Sequence, residues 1–520
     1  MYDILIKNGE VVDGLGKSQI RRDVAIERGH IADISENISE SKAKQVLNAS
    51  GKIVAPGFID IQNHSDSYWT LFDHPAAESL LSQGITTIIV GNCGSSVAPL
   101  TSAEAIKTIQ KWHNLAGVNI NWSSFAEFLR NLEGRIGVNV GSLVGHATIR
   151  RGLVGDAVRP ATFDEIRIMD KLLWQALSQG AFGLSMGLVY AHEVNSHTGE
   201  LMELAQNLKV RDAYLSVHLR SEGTHILESL DEVIEIAKRS EVALKISHFK
   251  IRKSKNWHLA ENVLKKLEDA YHKGLNVSFD VYPYDTTWAV LYTYMPKWAY
   301  EGGRAEILKV LADPLQRKKV LEFLKTQEHD YRKIIIATSE GATGFVGKSV
   351  SDIAQNSGVS ETEALLNVLA ATATQAISFD QNLSFGVVEQ FMSSPLAMIA
   401  TDGAGYGTRS SPNLVHPRCF GAMPKFLSWA RDSKKLSLPE AVKKITSQPA
   451  KLLGLSDRGV LDTSSIADVV VFDPKNIRDL ATYADPYKFS AGIEHVLVNG
   501  NLAYSGAKFL GKFGATLRKS

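Results

Sequence analysis

The sequence is almost without cysteine, since its 520 residues include only Cys93 and Cys419. Neither lies in a CxxC or zinc-finger spacing, and two cysteines cannot build the disulfide framework of a small secreted protein. This usage is typical of the reducing cytoplasm, and we expect a cytoplasmic protein. Each cysteine is therefore considered on its own as a chemical group.

An excess of charge of one sign is also lacking. Lys and Arg number 57 against 56 Asp and Glu, so the formal net charge is +1. No basic cluster alternates with aromatic residues, and we expect no nucleic-acid partner. No run approaches the roughly 18 apolar residues that cross a bilayer, and residues 1–14 alternate in polarity instead of forming an export signal. We therefore expect neither export nor a membrane partner, but a small-molecule substrate.

What the sequence does contain is enough apolar material, 44% of residues, for a large core and an accessory domain. Strand patterns separated by Asn8-Gly9 and Arg28-Gly29 turns occupy the first residues, and strand patterns return near the end. We predict that residues 1–55 and 456–520 together form one small β-domain. The predicted strands there are Tyr2–Lys7, Glu10–Asp13, Asp23–Glu27, His30–Ile34, Ala467–Phe472, His495–Asn499 and Leu502–Tyr504.

Between the two ends, β-branched apolar runs alternate with amphipathic helical runs such as Phe163–Ser178 and Ile226–Lys238. This alternation predicts a parallel sheet with crossover helices, and eight strands favour a (β/α)₈ barrel of residues 56–284 and 346–455. We expect residues 285–345 to be an inserted subdomain near the barrel mouth. The eight predicted strands are Ile53–Ile59, Ile85–Gly91, Val138–Gly145, Phe182–Leu188, Tyr214–Leu219, Ala243–Phe249, Asn276–Tyr282 and Leu396–Thr401.

Polar residues whose side chains can bind a metal or transfer a proton lie at the carboxyl ends of five of these strands. The residues are His64, Cys93, His218, His248 and Asp402. A single buried His or Cys is more often a structural residue, but chance gives such residues no preference for strand ends. Barrel enzymes carry their functional groups at that end. We therefore expect these five side chains to meet at one mouth.

These residue types suit metal-dependent hydrolysis. Imidazole and thiolate are ligands that Zn²⁺ prefers, and three protein ligands leave a position for water. The metal acidifies that water, and a neighbouring carboxylate, here Asp402, takes the proton and later delivers one to a leaving amine.

Two other catalytic motifs are present only superficially. Gly183–Gly187 matches Gly-x-Ser-x-Gly, but its apolar run continues past the serine, where a nucleophile elbow needs a sharp turn into a helix. His192-Glu193 is followed by His197, five residues after the first His instead of four, and Asn195 and Ser196 interrupt a helix. Neither motif predicts the chemistry.

A set of ordered motifs resembles the N-acyl-D-amino-acid deacylases, or D-aminoacylases, of the metal-dependent amidohydrolase superfamily. The resemblance implies a barrel capped by a β-sandwich from both chain ends, a zinc held by Cys93, His218 and His248, and Asp402 as catalytic base. The residues and runs that carry it are Ala55–Asp60 leading to His64, Gly91–Gly94, Gly187–Tyr190, His218–Glu222, Ile246–Lys250, Tyr282–Tyr284, Thr401–Gly403, His416–Arg418, Asp457–Gly459 and Ala467–Pro474.

The same resemblance implies how a substrate carboxylate is bound. The matching basic and phenolic residues are Lys250, Tyr282 and Arg418, and Tyr190 is expected at the same pocket. A planar guanidinium such as that of Arg418 also suits bidentate binding of a carboxylate on general grounds.

One position departs from this family pattern. A His-x-His pair usually follows strand one, whereas here Gln62 replaces the first His and only His64 is retained. A carboxamide is a poor ligand beside imidazole, so a second metal site of His64, Cys93 and Asp402 is weakened. We expect one tightly bound Zn²⁺, a second site that is weak or absent, and a Gln62 that contacts substrate or orients His64.

The leading hypothesis is a zinc-dependent hydrolase of an N-acyl amino acid, for which the resemblance implies the D configuration, or of a related carboxylate-bearing amide. A cyclic amide or imide hydrolase, similar to a hydantoinase, is the alternative within enzymes, and release of a free amine distinguishes the two. A non-catalytic barrel with an impaired site is the third hypothesis. Gln62 favours it, and the retention of Cys93, His218, His248 and Asp402 opposes it.

Overall fold

The computed structural model describes residues 1–116, 118–339, 341–407 and 411–519. Its strands, in chain order, are β1 Tyr2–Val11, β2 Ile20–Glu27, β3 His30–Ser35, β4 Ala43–Asn48, β5 Ile53–Pro56, β6 Phe58–Asp60, β7 Ile85–Val90, β8 Asn139–Ser142, β9 Val144–Gly145, β10 Gly183–Gly187, β11 Tyr214–His218, β12 Ala243–Ile246, β13 Val277–Val281, β14 Thr287–Val290, β15 Ile334–Ser339, β16 Ala376–Asp380, β17 Ala397–Ile399, β18 Val469–Phe472, β19 Ile493–Val498, β20 Asn501–Ser505 and β21 Lys508–Phe509.

The α-helices of the same residues lie mostly between barrel strands and in the insertion before β17. They are α1 Thr70–Asp73, α2 Glu78–Leu81, α3 Ala103–Ile106, α4 Phe125–Leu132, α5 His146–Val154, α6 Phe163–Ser178, α7 Thr198–Val210, α8 Ile226–Ser240, α9 Ala260–His272, α10 Gly303–Ala312, α11 Pro314–Lys325, α12 Val350–Ser357, α13 Glu361–Ala371, α14 Phe385–Ser393, α15 Arg418–Ser433, α16 Leu438–Lys444 and α17 Ser447–Leu453. Among them, no helix is both long and apolar enough to cross a membrane.

Both ends of the chain contribute to one nine-stranded sheet. Its order is β21-β20-β19-β18-β5-β1-β2-β3, and β4 also pairs with β1. The ends meet where β18 runs antiparallel to β5, with Val470 opposite Ala55. The first two predicted strands are one strand, β1, because a register irregularity between Ile6 and Gly9 bends it without ending it.

The parallel strands close into a barrel of eight positions. One sheet has the order β6-β7-β8 and another has the order β17-β13-β12-β11-β10-β9, with β8 and β9 forming one position interrupted at Leu143. The Leu143 amide donates to the Val90 carbonyl at 2.9 Å, and the His64 amide donates to the Gly403 carbonyl at 2.7 Å. The second bond joins the first and last positions of the barrel. The predicted (β/α)₈ fold with a sheet domain is therefore confirmed.

Two boundaries differ from those predicted. The run Ile53–Ile59 is not one barrel strand: Ile53–Pro56 belongs to the terminal sheet as β5, and the barrel begins with β6. The insertion between β13 and β17 also continues beyond residue 345, because β16 is hydrogen-bonded to β14 and β15 in a three-stranded antiparallel sheet. Periodicity within a short apolar run cannot tell which sheet the run joins.

Helix boundaries follow local signals more closely. α6 has the predicted bounds, because the Thr162 hydroxyl accepts from the Glu165 amide while the Glu165 carboxylate accepts from the Thr162 amide. α8 begins at Ile226 as predicted and continues two residues beyond Lys238, to Ser240. These crossover helices leave the carboxyl ends of the barrel strands facing the insertion.

Candidate metal centre and substrate cavity

The carboxyl ends of the barrel strands and the insertion line one cavity. Its lining includes all five residues predicted at strand ends: His64, Cys93, His218, His248 and Asp402. Aromatic residues complete much of the wall, and Trp288 of β14 stacks on Tyr68 with ring centres 4.6 Å apart. The insertion is thereby packed against the loop that follows strand β6.

Cys93, His218 and His248 form a cluster whose ligand atoms lie within 4.8 Å of one another, the one such group found among the described residues. Cys93 Sγ is 3.2 Å from His248 Nε2. Burial alone would raise the pKa of the Cys93 thiol, but the charge of His248 and hydrogen bonds with the histidines hold that pKa well below its usual value. His218 Nδ1 is buried and has no hydrogen-bond partner in the described structure. This donor set fits a zinc ion.

Three functional residues have left-handed backbones. The φ angle is +53° at Cys93, +37° at His248 and +46° at Asp402. Such angles are unfavourable for residues other than glycine and persist where surrounding contacts impose them. At His248 the contact is with Asp280, whose carboxylate accepts from the His248 amide at 2.8 Å. The tight turns direct these side chains into the cavity.

The turn that carries Cys93 is supported by the two motifs that sequence reasoning rejected as catalytic. The Ser185 hydroxyl donates to the Gly91 carbonyl at 2.5 Å and accepts from the Gly94 amide at 3.0 Å. Glu193 approaches the same turn so closely that a Cβ at Gly94, where φ is +76°, would lie 2.0 Å from its Oε2. Ser185 and Glu193 therefore act on the backbone around Cys93, and neither lines the cavity.

Asp402 lies between His64 and Arg418. Its Oδ1 is 3.1 Å from His64 Nε2, and its Oδ2 accepts from Arg418 Nη2 at 2.8 Å. Burial alone would raise the pKa of Asp402, but the charges of Arg418 and His248 and the contact with His64 hold that pKa well below its usual value. Burial would lower the pKa of His64, and its contacts with Asp402 and Cys93 instead raise it to about 10. His64 lies beside the three-residue cluster and is not part of it.

Gln62 does not line the cavity, which differs from the expected substrate contact. Its Nε2 donates to Cys93 Sγ at 3.2 Å and lies 3.4 Å from His64 Nε2. Its Oε1 accepts at 2.5 Å from Lys245 Nζ, which also donates to Asp280 at 2.6 Å. The one atom of Gln62 that could bind a metal is therefore occupied by a buried ammonium group. The role of Gln62 in orienting His64 stays a prediction.

Glu222 is a polar residue of the site that was recognised only as part of a motif. Its Oε1 accepts from Lys250 Nζ at 2.6 Å and lies 3.3 Å from His248 Nδ1. Burial alone would raise the pKa of Glu222, but the charges of Lys250 and the histidines lower it. Lys250, predicted to bind substrate, lines the cavity, yet its ammonium is engaged with Glu222 and His248. The sequence does contain a signal for Glu222, since it is a charged residue four positions after His218 and just past the end of a strand.

Arg418, Tyr282 and Tyr190, the other predicted substrate-binding residues, all line the cavity. Arg418 Nε and Nη1 and the Tyr282 hydroxyl are buried without hydrogen-bond partners in the described structure. The guanidinium carbon lies 4.5 Å from the Tyr282 ring centre, and the Tyr190 and His218 rings are 5.2 Å apart. Unpaired buried donors are costly unless a ligand supplies acceptors, so this wall suits an anionic group.

A closed barrel with thiolate, imidazole and carboxylate groups at its strand ends is typical of metal-dependent hydrolases. The chain belongs to the amidohydrolase family, whose sequence profile matches residues 45–300 and 413–504. The predicted resemblance to D-aminoacylases and the predicted class of enzyme, a hydrolase of amide bonds, are thereby confirmed.

Individual relatives resemble the chain over nearly its full length. An N-acyl-D-glutamate deacylase of Alcaligenes xylosoxydans xylosoxydans is 33% identical over 525 residues, which cover 99% of this chain and 96% of that protein. The structure of an N-acyl-D-glutamate deacylase from Bordetella bronchiseptica, in complex with zinc and a phosphonate inhibitor, has a TM-score of 0.85 and 29% identity and covers 99% of both chains. A D-aminoacylase structure with a binuclear metal centre has the same TM-score and identity and covers 100% of both chains.

Proposed function

We propose that this protein is a zinc-dependent deacylase that hydrolyses N-acyl-D-amino acids to the free amino acid and a carboxylic acid. The observation that carries the proposal is the meeting, in one cavity, of the Cys93, His218 and His248 cluster with the Asp402 carboxylate and the unpartnered donors of Arg418. The D configuration is supported by the similarity to an N-acyl-D-glutamate deacylase.

The proposed chemistry divides between a metal and the residues of the chain. A zinc ion held by Cys93, His218 and His248 would supply Lewis acidity, which activates water and polarises an amide carbonyl. Asp402 accepts the proton of the attacking water and delivers a proton to the nitrogen of the departing amine. His64, 3.1 Å from Asp402 Oδ1, orients that carboxylate.

Recognition of the substrate α-carboxylate is assigned to Arg418 and Tyr282. Arg418 Nη2 is paired with Asp402, while Nε and Nη1 keep donors without partners in the described structure, which are available to the oxygens of a carboxylate. The Tyr282 hydroxyl adds a third donor without a partner in the described structure. Lys250 contributes positive charge from its pair with Glu222.

We also propose that one zinc ion is held tightly. The related D-aminoacylase has a binuclear metal centre. In this chain the second position would depend on His64 and Asp402 with Gln62, and the Gln62 oxygen already accepts from the Lys245 ammonium. A buried ammonium beside that position repels a second cation.

A substrate panel tests the proposed function. Purified zinc-loaded protein is incubated with N-acetyl-D- and N-acetyl-L-amino acids, their carboxamides and hydantoins, and free amine and ring opening are measured. We expect free amine from the D-amino acids, with carboxamides being poorer substrates because Arg418 then lacks an anionic partner. Ring opening without release of amine from any N-acyl amino acid would contradict the proposal and favour the cyclic-amide alternative.

A further inference from the structure

Among the described residues that line the cavity, one of the three Lys and Arg side chains has no ion-pair partner. Arg418 is paired with Asp402 at 2.8 Å, and Lys250 with Glu222 at 2.6 Å. Arg252 also lines the cavity, but no carboxylate of the described residues lies within 4.0 Å of its guanidinium. Its Nε is buried without a hydrogen-bond partner among those residues. A cation in this setting gains most from an anion that enters with a ligand.

The surroundings of Arg252 hold it at the cavity wall. It follows strand β12, and its amide donates to the Glu222 carbonyl at 2.8 Å, which ties its loop to the metal side of the site. The nearby Asp380 is engaged elsewhere, since its Oδ2 accepts from the Tyr294 hydroxyl at 2.6 Å and from Asn382 at 2.7 Å. Arg252 is thus placed by its backbone, and its guanidinium has no carboxylate in direct contact among the described residues, although the charges of Glu222 and Asp380 act on it from a longer distance.

We propose that Arg252 forms a second carboxylate subsite, so that the preferred substrates are N-acyl amino acids with an acidic side chain. The proposal rests on the deacylase function proposed above. The α-carboxylate binds Arg418 and Tyr282, and the side-chain carboxylate binds Arg252. A substrate with a neutral side chain leaves the half-buried guanidinium without a carboxylate in direct contact, which disfavours binding relative to an acidic side chain.

The first test compares N-acetyl-D-glutamate with N-acetyl-D-glutamine, which has nearly the same shape and no side-chain charge. Wild type should favour the glutamate in kcat/KM. Arg252→Gln should lower kcat/KM for the glutamate on the order of 30-fold or more, mainly through KM, and leave the glutamine within about threefold. Arg252→Lys should restore part of the preference, because it returns the charge without the planar fork.

A matched control removes a nearby charge outside the cavity. Lys255 is exposed, does not line the cavity and has only a 4.0 Å contact with Glu328. Lys255→Gln should leave the preference for glutamate unchanged. Equal loss in Lys255→Gln and Arg252→Gln would show a general electrostatic effect and overturn the subsite. Zinc content and circular dichroism of each variant report on its folding.

A binding experiment separates this inference from the proposed function. Glutarate and pentanoate, which have equal chain lengths and differ by one carboxylate, are titrated calorimetrically into zinc-loaded wild type and Arg252→Lys. Tighter binding of glutarate that weakens in the variant supports the subsite even if no N-acyl amino acid is hydrolysed, a result that would defeat the deacylase. Equal binding of the two acids together with equal turnover of the two amides overturns the subsite and leaves the deacylase standing.

Discussion

Single residues determine the proposed chemistry, and the role of Asp402 as proton acceptor can be tested directly. Replacing Asp402 with Asn keeps the size of the side chain and removes the proton acceptor, so turnover should fall roughly 100-fold or more. Zinc content should stay near that of wild type, because Asp402 lies outside the cluster of Cys93, His218 and His248. Steady-state kinetics and metal analysis of the same preparation test both statements.

The control for this substitution is Asp164→Asn, at an exposed position of α6. It should alter neither turnover nor zinc content. Nearly full activity in Asp402→Asn would show that another group accepts the proton, and His64 would be the next residue to test.

The number of metal ions is a second prediction at this scale. Wild type should keep about one zinc per chain after dialysis, and Cys93→Ala should keep none. Gln62→His should still keep one, because the Lys245 ammonium remains beside residue 62, where it is 2.5 Å from Gln62 Oε1. The double variant Gln62→His/Lys245→Gln removes that charge and should gain a second ion. Plasma mass spectrometry gives the count.

The controls for the metal count separate ligand loss from misfolding. His258→Gln alters an exposed imidazole and should leave the count at one. Lys245→Gln alone, measured by circular dichroism, shows whether the buried site tolerates the neutral side chain. Two zinc ions retained by wild type would mean that Gln62 and Lys245 do not exclude the second ion.

At the scale of elements, helix α5 is anchored through its first residue. His146 Nδ1 is 2.9 Å from Glu193 and its Nε2 is 2.9 Å from Glu200, and all three side chains are buried. Burial alone would lower the pKa of His146, but the two carboxylates raise it to about 9. The protonated imidazole thus joins α5 to the Tyr190–Glu193 loop and to α7.

This contact predicts a pH-dependent stability. Because the folded-state pKa of His146 lies above the ordinary value of about 6.5, its contribution is complete below about pH 6.5 and is lost as the pH rises through about 9. The difference in melting temperature between wild type and His146→Gln should therefore be larger at pH 6 than at pH 9.5. Differential scanning fluorimetry of both proteins across this range measures it. A difference that is constant with pH would contradict the assignment of a buried charge.

For some secondary-structure elements, the local sequence is sufficient to predict the boundaries. The limits of α6 could be predicted because Thr162 and Glu165 satisfy its first amides within one turn. The continuous apolar pattern of Ile53–Ile59 predicts a single strand, whereas hydrogen bonding with β18 places Ile53–Pro56 in the terminal sheet. Partner choice depends on residues more than 400 positions away, which no local pattern contains.

In the whole molecule, residues 515–517 near the end of the chain lie against the barrel wall. The Val140 amide of β8 donates to the Ala515 carbonyl at 2.9 Å, and the Leu517 amide donates back to Val140 at 2.8 Å. Leu517 is buried in a cluster with Ile89 and Phe182. The tail thus covers the edge of β8.

Ending the chain at residue 512 should therefore expose a barrel edge and lower the melting temperature by roughly 5 °C or more. Leu510→Ala is the control, since Leu510 lies just before the tail and is 51% exposed. It should leave the melting temperature within about 1 °C. An unchanged melting temperature in the shortened chain would show that the tail only lies on the barrel.

The barrel, the terminal sheet and the five residues at strand ends could be predicted from the sequence, because they follow from local periodicity and from the rule that parallel strands end at one edge. Which charged groups pair depends on the tertiary structure. Arg418 pairs with Asp402, Lys245 with Asp280 and Lys250 with Glu222, contacts that join different strand ends and loops, whereas Arg252 has no such partner among the described residues. Pairing depends on distances of a few ångströms between separate segments, and the packing of the whole chain sets those distances.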